Sequence, residues 1–253
     1  MADGIYFETT STIDGAPLVV IIRGRKDCIA EAHGKANSKT GAMIQTYILR
    51  ADVAPGEAAK NGADESVCGD CPHRPLLYRE AGAARCYVNL AHGPRVCFEA
   101  YKRGAYRRAT LLECAAYVRG LKLRIGSYGD PGAIHSDYWR VLAAAASERT
   151  GYTHRWQDTG AGLKGVCMAS VDTIDERNEA SALGWATFRV ALTVDEARDR
   201  VRGEAQCPAS AEAGKKVTCA TCPLKCDGAT GGRVIIDHGP GGLGRKLGLK
   251  LSA

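Results

Sequence analysis

The chain has 253 residues, 45% of them hydrophobic and 25% charged, with a formal net charge of +6. That length allows one large domain or two small ones, and the composition is ordinary for a soluble globular protein. The longest apolar run, Pro17 to Ile22, falls far short of the roughly 18 residues that a membrane span requires, and the mild positive charge permits nucleic-acid contact without demanding it.

In chain order, short strands are expected over Ile5 to Thr9 and Leu18 to Ile22, joined by a turn at Asp14-Gly15 into a hairpin. A strand over Met43 to Leu49 follows. Further β-like runs start at Arg85, Leu121, Gly151, Gly165, Ala186 and Arg233, with a short one over Ala205 to Cys207. Helical patterns fill most gaps: Tyr138 to Glu148, capped by Ser136 or Asp137, then Thr173 to Leu183 and Thr193 to Arg202. Thr193 with Glu196 has capping-box spacing. This alternation predicts parallel βαβ units, with about eight strands making a complete or partial β/α barrel. An open doubly wound sheet is the main competitor, but it lacks a glycine fingerprint after a strand. Residues 1–40 are expected to form an N-terminal β extension, and residues 41–253 a barrel-like domain with Cys-rich segments at 68–97 and 207–226.

Eleven cysteines are many for such a chain, their number is odd, and the N-terminus has no basic-then-apolar export signal. A cytoplasmic location, the host cytoplasm if the chain is phage-encoded, is therefore expected, with the clustered thiols as metal ligands. Cys68-Gly-Asp-Cys71 is a C-x2-C pair in a Gly- and Pro-rich connection; Cys86 follows after fourteen intervening residues and Cys97 after ten more. His73 and His92 are possible substitutes for a thiolate. Cys97 also suits a buried apolar position at the start of an amphipathic run. Cys207, Cys219, Cys222 and Cys226 form C-x11-C-x2-C-x3-C, a spacing that core packing does not explain. Either group accepts zinc or a [4Fe–4S] cluster. Lys215, Lys216 and Lys225 lie among these cysteines, to offset thiolate charge, to touch phosphate or as plain solvated surface lysines, whereas Cys28, Cys114 and Cys167 stand alone as structural residues.

Barrel chemistry sits at the C-terminal ends of the strands. Here those ends carry Arg50, Asn89, Ser127 with Asp130, His154 with Trp156, Ser170 with Asp172, Arg189, and Asp237 with His238. Asp172, just before a helix, also suits a cap. In Gly126-Ser-Tyr-Gly-Asp-Pro131, Gly126 and Gly129 allow close backbone approach to a ligand, beside Ser127 and the acceptor Asp130.

Cys68, Cys71 and Cys86 after the first barrel strand, Tyr87 beyond them, the Gly126–Pro131 element and the Tyr152-Thr-His154 strand end together resemble the radical S-adenosylmethionine superfamily, by way of phage proteins of the gene-product-88 family. The resemblance spans roughly Met43 to Val190. It lacks the usual C-x3-C-x2-C, and Cys219, Cys222 and Cys226 carry those two spacings reversed. It implies a [4Fe–4S] cluster on three cysteines with an open iron for S-adenosylmethionine, contacted by Gly126, Ser127, Gly129 and Asp130, while His154 and Asp172 face a nucleotide, nucleic-acid or peptide substrate. A second enzymatic possibility is a transglycosylase-like base exchange, with Asp130, Asp172 or Asp237 as nucleophile and zinc on Cys207, Cys219, Cys222 and Cys226. The third is a non-enzymatic, zinc-stabilised module binding nucleic acid through Tyr101 to Arg108 and the tail residues Arg245, Lys246 and Lys250.

Overall fold

The structure, a computed structural model, describes residues 3–29, 37, 39–75, 86–229 and 231–237. Strand β1 (Gly4–Thr10) and strand β2 (Pro17–Arg23) form the expected hairpin, with Ile5 opposite Ile22. Its turn places Gly15 at φ 77°, and Asp14 accepts a hydrogen bond from the Ala16 N–H. Leu18 to Ile22 are all fully buried, as an uninterrupted apolar run must be when its strand is covered on both faces. Strand β3 (Ile44–Arg50) pairs antiparallel with β2, so the hairpin shares a sheet with the first strand of the parallel array.

Helices α1 (Arg25–Ile29), α2 (Pro55–Asn61), α3 (Glu65–Cys68) and α4 (Gly93–Lys102) precede the two-residue strand β4 (Arg107–Arg108) and helix α5 (Leu111–Val118). There follow β5 (Lys122–Tyr128), α6 (Ser136–Ala145), β6 (Glu148–Thr150) and β7 (Tyr152–Thr153). The last described elements are β8 (Met168–Val171), α7 (Ile174–Ala182), β9 (Thr187–Ala191), α8 (Val194–Arg198), β10 (Glu204–Gln206) and β11 (Gly232–Ile236).

The fold is α/β. One mixed sheet has the order β4-β1-β2-β3-β5-β6, and a parallel sheet has the order β10-β11-β9-β8-β7. Only Gly151 separates β6 from β7, so one stretch of chain serves both sheets. A Cβ at Gly151 would lie 2.8 Å from Cys167 Sγ and 2.9 Å from Ile125 Cβ, and its N–H donates to the Cys226 carbonyl. The strand pairings among the described residues end at β4 and β10 without joining them, so they do not close a barrel. No helix among those residues is long and apolar enough to cross a membrane.

Several boundaries differ from expectation. Residues 86–90, within the run starting at Arg85, are not a strand. Helix α6 is capped by His135, whose ring accepts from the Asp137 N–H, instead of by Ser136 or Asp137. It also stops at Ala145, because Glu148–Thr150 turns extended and pairs with Lys122–Arg124 as β6. Thr173 and Thr193 cap α7 and α8, each accepting from the N–H of a glutamate three residues on. His238 and the basic tail lie outside the described residues.

Arg189, read as a strand-end site residue, instead holds the second sheet together. Its Nε and Nη2 donate to the two Glu204 oxygens at 2.9 and 2.6 Å, and it donates further to the Glu196 and Asp199 carbonyls. Both side chains are fully buried. Breaking such a pair strands a buried charge. Arg189→Met should therefore lower unfolding free energy by about 3–5 kcal/mol in urea titration, and Arg189→Met/Glu204→Leu by clearly less.

Candidate metal centres

The first centre lies at the C-terminal ends of consecutive parallel strands. Beyond β3, helix α3 ends in Cys68 and the chain turns through Gly69 at φ 61° into Cys71. Two arginines fix this loop. Arg74, buried, pairs with Asp64 at 2.7 Å and donates to the Gly69 and Gly62 carbonyls. Arg155, from beyond β7, packs over Gly69 and pairs with Asp70 at 2.7 Å. Cys86 joins the group through its N–H, which donates to the His73 carbonyl. Burial pushes the Cys68 thiol up, and the neighbouring Cys71 and Cys86 push it further. Burial likewise raises Cys71 and Cys86. The structure thus places Cys68, Cys71 and Cys86 in one neighbourhood, near enough for the thiols to act on one another.

It places Cys97 elsewhere. That sulfur is fully buried beneath α4, 3.7 Å from an Arg23 nitrogen and beside Tyr106, as the apolar position in the amphipathic run implied.

Asp130 is at the centre of the mouth but its oxygens are taken. Oδ1 accepts from the Gly132 N–H at 2.8 Å and the Thr153 hydroxyl at 2.6 Å, and Oδ2 accepts from the His154 N–H at 2.7 Å. Burial raises its pKa, opposed by these donors and by the His154 charge. Gly126 and Gly129 have positive φ, but the space a side chain would occupy is filled by the protein itself: by Gly129 O and Pro131 at Gly126, and by Ile48 and Val67 at Gly129. The Ser127 hydroxyl donates to Gln45 at 2.6 Å. The element is a turn locked onto β3 and α3, and its glycines serve that turn.

His154 and Asp172 do meet, and His73 meets them. His73 Nε2 is 2.8 Å from Asp172 Oδ1, His154 Nε2 is 3.7 Å from Asp172 Oδ2, and His154 Nδ1 is 3.6 Å from Cys71 Sγ. Burial lowers the His154 pKa against the pull of Asp172, which favours a neutral ring. Asp172 is not the cap of α7: Thr173 has that role, and Glu176 accepts the Asp172 N–H, leaving the carboxylate to the imidazoles. Asp237 stands apart, after β11, its N–H donating to Ala191.

The second centre is a cleft lined by Cys207, Cys219, Cys222 and Cys226 together with Met43, Thr150, Tyr152 and Arg233. Cys207 is set by its N–H on the Val234 carbonyl, Cys219 by its N–H on Lys39, and Cys226 by its carbonyl on Gly151. Burial pushes the Cys226 thiol up to about 12, with Cys207 and Cys219 adding to it and a Tyr152 hydrogen bond opposing it. Burial raises Cys207 too, and Cys219 and Cys222 act on it in the same direction. All four cysteines therefore line one cleft.

The cations beside them come from unexpected places. Lys215 and Lys216 are exposed, and Lys225 pairs with Glu148 at 3.1 Å. Lys39, however, feels Cys207 and Cys219, which partly offset the lowering of its pKa by burial. Arg124, on β5, is 6% exposed, donates to the Tyr87 hydroxyl at 3.0 Å and lies 4.5 Å over the Tyr152 ring. Burial works to lower its pKa, but Tyr87, Tyr152 and Cys219 outweigh that and raise it. No carboxylate among the described residues forms a salt bridge with it. Four thiolates around a divalent ion carry a net double negative charge. Lys39 and Arg124 supply the matching positive charge, so the donor set and its surroundings fit a bound metal or cluster.

In the basic stretch read as a nucleic-acid contact, two of the four cations are paired internally. Arg108 pairs with Glu8 at 2.9 Å, Arg107 with Glu113 at 2.5 Å, and Tyr101 donates to Glu8 at 3.1 Å.

In comparisons with known proteins, no family model, no curated protein and no solved structure matches this chain.

With Cys207 and Cys226 protonated at neutral pH, zinc uptake here should release about one proton per buried thiol, measurable by calorimetry in buffers of different ionisation enthalpy. Arg124→Met should weaken zinc binding on the order of tenfold. The raised Cys226 pKa also sets a pH dependence for the metal-free protein. Its contribution to stability is whole below 9.0 and is lost as pH rises toward about 12, a loss that bound zinc removes because the thiolate is then already ionised. Chemical denaturation at graded pH, with and without zinc, measures this.

Proposed function

We propose that this chain is an iron–sulfur enzyme of the radical S-adenosylmethionine kind on a partial β/α barrel, acting on a nucleotide, nucleic acid or peptide. The observation that supports the reading is the neighbourhood of Cys68, Cys71 and Cys86 at the C-terminal strand ends, with Cys97 turned away to Arg23. Three thiol ligands are one fewer than a fully ligated [4Fe–4S] cluster needs. When bound there, such a cluster would supply a single electron for reductive cleavage of S-adenosylmethionine.

The chain's own residues have defined tasks in this reading. Arg74 and Arg155 hold the Cys68–Cys71 loop in place. His154 Nδ1, beside Cys71 Sγ, can donate a hydrogen bond to that thiolate. Asp130 anchors the strand ends and acts on the site through position, since both its oxygens are already engaged. His154 and Asp172 follow β7 and β8, at the strand ends where this reading places the substrate. The Cys207, Cys219, Cys222 and Cys226 group is a separate, fully thiolate-ligated metal or auxiliary cluster. The base-exchange reading fits less well, because Asp130 is occupied and Asp172 is held against two imidazoles.

Anaerobic reconstitution with iron and sulfide tests the proposal. The expected product is brown, and S-adenosylmethionine perturbs the electron paramagnetic resonance signal of its reduced form. Cys68→Ser, Cys71→Ser and Cys86→Ser should each abolish that perturbation, while Cys97→Ser keeps it. A colourless protein with stoichiometric zinc and no iron would sink the reading.

A further inference from the structure

The mouth of the parallel strands holds donors that the three cysteines leave unused. His73 follows the Cys68–Cys71 loop, His154 follows β7 and Asp172 follows β8, and one donor atom from each lies within 4.8 Å of the others. An ion bonded to such donors at about 2.0–2.1 Å requires them to be about 3.0–3.4 Å apart. The 2.8 Å between His73 Nε2 and Asp172 Oδ1 and the 3.7 Å between His154 Nε2 and Asp172 Oδ2 bracket that requirement. We propose that His73, His154 and Asp172 form a binding site for a divalent first-row transition metal, zinc or iron(II) by class.

Two imidazoles and one carboxylate suit such an ion better than magnesium or calcium, which prefer all-oxygen shells. Each oxygen of Asp172 faces a different imidazole, an arrangement that a single His–Asp ion pair does not need. The second imidazole is aimed from behind: its Nδ1 rests against Cys71 Sγ, and its backbone N–H is held by Asp130 Oδ2. That leaves His154 Nε2 buried, directed at Asp172, with no hydrogen-bond partner. Asp172 is fixed through its N–H on Glu176, and the His73 backbone through its carbonyl, which accepts from Cys86. Three donors drawn from separate segments are thus pre-positioned by groups that would not bind this ion. Three protein ligands also leave coordination positions open for water or an oxygen donor. No thiol is a ligand, so the site does not depend on the iron–sulfur reading.

Cobalt(II) added anaerobically to the metal-free full chain is the probe. The cysteine groups give intense thiolate-to-cobalt absorption, and this site should add one further equivalent with only weak ligand-field bands. Asp172→Asn and His154→Gln should lower the affinity of that further equivalent at least tenfold and leave the thiolate absorption intact. Wild-type stoichiometry and affinity in both variants would overturn the proposal. Zinc titration of the wild-type chain with histidine-ring nitrogen resonance serves as a readout independent of variant folding. The Nε2 signals of His73 and His154 should shift with zinc, and unshifted signals would also overturn it. Absent thiolate absorption in wild type would count against the cysteine centres alone, because the nitrogen shifts still read this site.

Discussion

The buried carboxylate of Asp130 is the contact on which the strand-end mouth depends. It gathers the Gly132 N–H, the Thr153 hydroxyl and the His154 N–H, so the ends of β5 and β7 share one anchor. Its own N–H donates to the Val67 carbonyl, which ties the same anchor to α3 and the loop holding Cys68 and Cys71. Burying an ionisable group is costly unless its charge is met by donors. Here the donors belong to the segments that carry the site, and satisfying the charge is what positions Cys71 and His154 relative to each other.

Electrostatics divides the interior into two zones. Around the first centre, Arg74 and Arg155 are each neutralised by an aspartate, so they shape the loop without leaving a net positive field. Around the second, Arg124 and Lys39 face thiols. Arg124 also touches Tyr87, the residue after Cys86, and so lies along the route between the two groups. In the proposed tetrathiolate site the ion would be matched in charge as well as in ligand number, by cations from residues far from the cysteines in sequence.

The strand alternation was legible because β2, β3, β5, β8, β9 and β11 are short runs rich in apolar residues and bounded by turn residues. The close spacing of Cys207, Cys219, Cys222 and Cys226 likewise foreshadowed a shared location, and the four line one cleft. What escaped was set by tertiary context. Glu148–Thr150 reads as the tail of a helix, yet the open edge of β5 recruits it as a strand. Asp172 reads as a cap, but Thr173 takes that role and leaves the carboxylate to His73 and His154. His73 carried only a weak signal, its closeness to the Cys68–Cys71 pair. Lys39 and Arg124 carried none, since neither shares a motif with the thiols they face. Arg189, at a strand end, belongs to a buried ion pair that only the fold reveals.

Gly151 gives the molecule a seam. The residues before it hydrogen-bond into one sheet and those after it into the other, while its N–H is held by the carbonyl of Cys226. The junction between the sheets is therefore completed by a segment some seventy residues later in the chain, contributed by the same loop that would wrap a metal. Contacts of that sequence separation form late, because loop closure must come first. If the thiol loop holds a metal as proposed, ligand capture and the locking of the two sheets would be a single closing event, and the order of folding would be tied to the supply of that metal.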